Sequence, residues 1–141
     1  MAESWLFWAL LSAGFAALTA VLAKLGVSGV DSDLATLIRT VVILALTLAI
    51  VLASGKARGL GAVGGRSWLF LVLSGLATGA SWLAYFRALK LGPASRVAPV
   101  DKLSVVLVAI FAVMFLGERL PAHHWLGVAL VAGGAVLLAL P

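Results

Sequence analysis

The sequence predicts an all-α integral membrane protein, a bundle of five transmembrane helices. Three observations carry that prediction. Of 141 residues, 64% are hydrophobic and 11% are charged, about half the charged share of a typical soluble domain. Mean hydropathy is +1.21. Next, five apolar stretches reach the about 20 residues that a helix needs to cross a hydrocarbon core. Finally, the connectors between them are short and rich in turn formers. Membrane-spanning strands are about 10 residues long and alternate in polarity. These runs are longer and do not alternate, so the spans are helices.

The first span runs from Trp5 to about Ala23. Its lead-in, Met1-Ala2-Glu3-Ser4, lacks the basic segment of a secretory signal, so the span is expected to be retained. The second runs from about Leu34 to Ala53 and is interrupted by Arg39. It follows Gly26-Val27-Ser28-Gly29 and Asp31-Ser32-Asp33, with Asp33 expected as the N-cap. The longest connector, Gly55 to Arg66, leads into a third span from Trp68 to about Leu89. Leu91-Gly92-Pro93-Ala94-Ser95 then breaks the chain before a fourth span, about Ala98 to Leu116. Pro99 removes a backbone donor there and is expected to bend it. Gly117-Glu118-Arg119-Leu120-Pro121 opens the fifth span, about Pro121 to Leu140, with Pro121 suited to the first helical turn. All of 1–141 is read as one domain. Trp5, Trp8, Trp68 and Trp125 fall near entry points, where indole favours the interface. Trp82 falls deep in the third span.

The formal net charge is +5. The basic residues sit mostly in connectors, which indicates topology control and headgroup contact, not nucleic-acid binding. There is no cysteine, which removes disulfides, thiolate metal sites and cysteine catalysis. No nucleophile elbow, phosphate-binding glycine loop or H-E-x-x-H motif occurs. His123 and His124 have no acidic or cysteine partners nearby, so no metal site, no cofactor and no enzyme is expected.

Five crossings place the termini on opposite sides. Lys56, Arg58, Arg66 and Arg119 then share the side of the N-terminus. Lys24, Arg87, Lys90 and Arg96 share the other, with Arg39 and Lys102 slightly inside it. Orientation follows an excess of basic residues on one side, and hardly any excess exists. Two readings stand: one orientation prevails through finer detail, or copies insert both ways and pair antiparallel.

Polar side chains within spans each need a reason. In the third span Ser74, Thr78, Ser81, Trp82 and Tyr85 fall on one face, beside the Gly75-x-x-x-Gly79 step. The small residues suit helix packing. Trp82 and Tyr85 suit either packing or a cavity wall that stacks on a solute or a cation. In the fourth span Asp101 is the one carboxylate, and Lys102 points about 100° away from it on a regular helix. That pair is either a snorkelling lysine and a charge-balancing carboxylate, or a proton or cation site. Arg39 reaches the interface, pairs with Asp101, or holds an anionic solute. Gly127, Gly133 and Gly134 in the last span form a packing face or a dimer seam.

The stretch from Tyr85 to Leu120 resembles the EamA domain of the drug/metabolite transporter superfamily. The residues that carry the resemblance are Tyr85, Ala88 and Leu89, then Pro93, Ala94, Ser95, Val97, Ala98 and Pro99, then Leu116, Gly117, Glu118 and Arg119. The layout of the whole chain is similar as well. Most members of that family carry two such five-helix domains as an inverted repeat. The resemblance therefore implies half of a ten-helix transporter, completed as an antiparallel homodimer. It implies alternating-access movement, with export as the direction, of a small polar or amphipathic metabolite or drug-like solute in a prokaryotic plasma (inner) membrane. Arg39, Trp82, Tyr85, Asp101 and Lys102 are the expected cavity residues. The alternative is a non-transporting subunit that packs with a second membrane protein. Two departures stand out. Relatives often carry proline where this chain has Ser104-Val105. The small four-helix multidrug relatives keep a glutamate in mid-helix one, where this chain has no carboxylate after Glu3.

Overall fold

A computed structural model describes residues 4–140. Met1, Ala2 and Glu3 of the lead-in, and Pro141, lie outside the described residues. The described chain is helical and contains no strand. In order it forms α1 (Trp5–Val27), α2 (Ser32–Ala53), a 3₁₀ helix (Lys56–Ala62), α3 (Gly65–Leu91), α4 (Ala94–Asp101), α5 (Ser104–Phe115) and α6 (Ala122–Ala139). Five segments are long and apolar enough to cross a membrane, with α4 and α5 together forming one of 22 residues. At 1.5 Å per residue the spans measure about 27–40 Å, against a hydrocarbon core of about 30 Å. Most large apolar side chains are exposed, which is the state expected when lipid is the solvent. Four spanning threonines satisfy their hydroxyls within their own helices. Thr36, Thr40, Thr47 and Thr78 each donate to the carbonyl four residues earlier at 2.8–2.9 Å, so these four hydroxyls are not left bare in hydrocarbon.

The chain divides into two units. One comprises Leu25–Lys90, and the other the described residues up to Lys24 and from Leu91 onward. In the second of these, α6 packs against α4 and, less extensively, against α5. Its buried apolar residues are Ala20, Ala23, Ala109, Ala112 and Ala135, methyl-sized groups that permit close helix approach. Lys24 Nζ donates to Gly92 O at 2.8 Å, tying the end of α1 to the turn before α4. Gly117 closes α5 with φ +68°, a left-handed conformation that L side chains rarely adopt. Within the other unit α2 and α3 meet through long side chains. Lys90 Nζ donates to Val30 O, just before α2, at 2.9 Å, and Arg39 makes a second bridge.

Several expected boundaries shift. Asp31, not Asp33, caps α2: it is extended (φ −61°, ψ 139°) and its carboxylate accepts from Asp33 N and Leu34 N. The helix therefore starts two residues earlier than its apolar run. The connector after α2 is not all loop, since Lys56–Ala62 winds into the 3₁₀ helix. Pro121 is the residue before α6 rather than within its first turn. The fourth span starts at Ala94, directly after Pro93, and so carries Pro99 in its interior.

Candidate functional site

Pro99 has no N–H to offer the carbonyl four residues back. The fourth span then loses its regular winding within one turn. Lys102 N is shared between Ala98 O at 3.3 Å and Pro99 O at 3.0 Å, and Leu103 N bonds Val100 O at 3.0 Å. Val105 and Val106 likewise reach back only three residues, at 3.0 Å each. This 3₁₀ tightening separates α4 from α5 at Lys102–Leu103, a sharper effect than the expected bend. It also changes the geometry of the charged pair. On a regular helix Asp101 and Lys102 would diverge. Here Lys102 is the residue that terminates α4, and its Nζ lies 3.4 Å from Asp101 Oδ2. The charged pair thus sits on a helix break, with Asp101 half-buried and Lys102 exposed.

In the Leu25–Lys90 unit, Arg39 lies about two turns into α2. Its guanidinium carbon stands 4.4 Å from the centre of the Trp82 ring and 5.4 Å from that of Phe86. These are cation–π distances, and the attraction strengthens where water is excluded. Phe86 is buried, with 3% exposure. Tyr85 packs its ring edgewise on Phe86, centroids 6.4 Å apart at 66°. The structure therefore brings Arg39, Trp82 and, through Phe86, Tyr85 into one cluster. Asp101 and Lys102 belong to the other unit and pair with each other. Phe86 is the member that sequence reasoning missed. Its signal was the spacing Trp82, Phe86, Leu89, the face of α3 on which Phe86 and Leu89 are buried.

At the end of this unit where α2 begins, the Asp31 carboxylate is held below its ordinary value. The amides of Leu34 and Asp33 do this first, and the cations of Lys90 and Arg87 assist. The seam glycines are open inside their own units. A Cβ built on Gly75, Gly79, Gly127, Gly133 or Gly134 meets nothing within 4 Å. The His123 and His124 rings stack edge to face at 4.5 Å. Among the described residues no group of three or more His, Asp or Glu side chains is placed to hold a metal.

Five apolar helices, hydroxyls turned back on their own backbones and charge confined to span ends and two polar clusters define a multi-pass integral membrane protein. The sequence pattern of the EamA-like transporter family matches residues 3–140. A Sinorhizobium protein named "Uncharacterized transporter in cobO 3'region" is 68% identical over 139 residues, 99% of each chain. Proteins named "Probable 4-amino-4-deoxy-L-arabinose-phosphoundecaprenol flippase subunit ArnE" are similar over a shorter stretch. The Pseudomonas fluorescens protein is 36% identical over 72 residues, 50% of this chain and 60% of that one. The Yersinia pestis (strain Pestoides F) protein is 35% identical over 71 residues, with the same coverage. No solved structure matches. The chain belongs to the EamA family of the drug/metabolite transporter superfamily, and it is a transporter of that type.

Proposed function

We propose that the chain is one half of a transporter, a single EamA domain that pairs with an inverted second copy. The pair moves a small polar or amphipathic metabolite or drug-like solute outward across a prokaryotic plasma membrane by alternating access. The observation that carries this reading is the odd number of crossings together with nearly balanced basic residues. Five spans, with basic residues shared four to four, or four to six when Arg39 and Lys102 are counted, leave no strong orientation signal. Two oppositely inserted copies recreate the inverted symmetry on which many transporters are built. Arg39, Trp82 and Tyr85 are the substrate-contacting groups of one unit in this reading. Asp101 and Lys102 are the polar groups of the other, at a helix break of the kind that transporters place at their binding sites.

The test is reconstitution of the purified chain alone. Solute flux that is abolished by Asp101→Asn and by Trp82→Ala supports the reading. Full flux in both variants removes the site assignments. Reporters fused to the C-terminus should be active on both sides of the membrane, and activity on one side alone eliminates the inverted pair. A second reading rests on the word "subunit" in the names of the ArnE relatives: this chain packs with an unlike membrane protein. Co-purification with such a protein, and no flux from the chain alone, would favour it.

A further inference from the structure

Arg39 is a permanent cation about 10 Å inward from the start of α2. Such a group inside a span requires a partner. The carboxylates of its unit do not supply one. Asp33 lies on the same helix about 9 Å away along the axis, and the Asp31 carboxylate is committed to the amides of Asp33 and Leu34. What the guanidinium has instead is the ring of Trp82, 4.4 Å from its central carbon, and that of Phe86, 5.4 Å away. A cation held over ring faces is held without spending its N–H donors on an acceptor. Among the described residues of this unit no acceptor occupies those donors. Arg87 and Lys90 follow on α3 and act on Asp31, so the carboxylate nearest this end is already balanced by cations other than Arg39.

We infer that Arg39, held over the rings of Trp82 and Phe86, is the receptor for an oxyanion on the transported molecule. This inference rests on the transport reading and narrows its substrate to one class: amphiphiles or solutes bearing a phosphate or carboxylate. The forked donors match either group bidentately. The adjoining rings accept an apolar portion beside the anion, and they fix the fork so that little rotamer freedom is lost on binding.

The experiment measures binding without flux. The whole chain, purified in neutral detergent, is titrated with dodecyl phosphate, with dodecyl trimethylammonium and with inorganic phosphate, and thermal stabilisation is followed. Dodecyl phosphate should stabilise the chain and dodecyl trimethylammonium should not. Arg39→Gln should weaken dodecyl phosphate binding tenfold or more. Arg39→Lys, which keeps the charge and loses the fork, should weaken it by a smaller factor and decides the matter if the glutamine variant does not fold. Competition by inorganic phosphate identifies a water-soluble anion as the source. Binding of dodecyl phosphate without such competition identifies a lipid-like one. Equal binding of the two dodecyl probes, or unchanged affinity in both Arg39 variants, overturns the inference. Anion binding that depends on Arg39 in a chain that shows no flux would sink the transport reading alone. Flux that survives Arg39→Gln undiminished would sink this inference alone.

Discussion

Replacing Gly127 and Gly134 by alanine should move fold stability and self-association in opposite directions. Both glycines lie inside α6, and within their unit an added Cβ meets nothing within 4 Å. The fold thus gives no steric reason for glycine. Alanine is favoured over glycine in a helix interior by about 1 kcal/mol per residue, so the double variant should unfold about 2 kcal/mol less readily. At a seam with a second copy the same methyl groups would intrude where backbones approach. Overpacking of that kind costs roughly 1–3 kcal/mol, or about 5- to 150-fold in the dimer constant. Unfolding is followed by circular dichroism in mixed micelles. Association is followed by energy transfer between labelled copies as the lipid-to-protein ratio is raised. A folded double variant that associates as tightly as the parent refutes the α6 seam. A double variant that unfolds more easily refutes the open geometry around these glycines.

Three further outcomes follow from single features. Gly117→Ala forces an L residue into φ +68° with no neighbour to blame, so it should destabilise the fold by about 1–2 kcal/mol. Gly75→Ala in the interior of α3 should not, and denaturation midpoints compare the two. For Asp31 the folded pKa is lowered from 3.8. Its cap therefore supports the fold fully above that value and is lost as pH falls through the lower folded value. Asp31→Ala should flatten acid denaturation over that window, as seen by helicity against pH. Arg39 and Trp82 should be coupled, because the ring holds the cation. A double-mutant cycle with Arg39→Gln and Trp82→Ala should give about 0.5–2 kcal/mol of interaction energy, and a zero value would exclude the cation–π contact.

The spans were legible in the sequence because lipid imposes one crude demand, length times apolarity, that no tertiary detail overrides. Where local choices competed, the sequence was ambiguous. Asp31 and Asp33 are both good caps, and only backbone geometry decides that Asp31 turns its carboxylate onto two amides. Pro99 announced a disturbance in the fourth span. Where the winding would fail was not readable, since the defect is passed along the turn to Lys102 and Leu103 as hydrogen bonds that reach back three residues. The expected divergence of Asp101 and Lys102 assumed a regular helix at the one place that lacks it. Arg39 and Trp82 were each singled out. Their contact depends on how α2 and α3 come together, which no periodicity within one helix contains.

The glycines and alanines of the unit that holds α4, α5 and α6 point to one conclusion when read against each other. Glycine and alanine both permit close helix approach, and a chain that used them interchangeably would bury both. Here the buried small side chains are alanines, Ala109 and Ala112 on α5 and Ala135 on α6. Gly127, Gly133 and Gly134 on α6 have open space where a Cβ would stand. Open glycine in a helix interior costs stability. Here that cost gains nothing inside the unit, so any return must lie outside it. A second backbone laid along α6 would supply that return, whereas lipid chains would tolerate alanine equally well. Open glycine on α6 therefore favours a protein neighbour there over bare bilayer, and opposed changes in stability and association on Gly127→Ala and Gly134→Ala measure that preference directly.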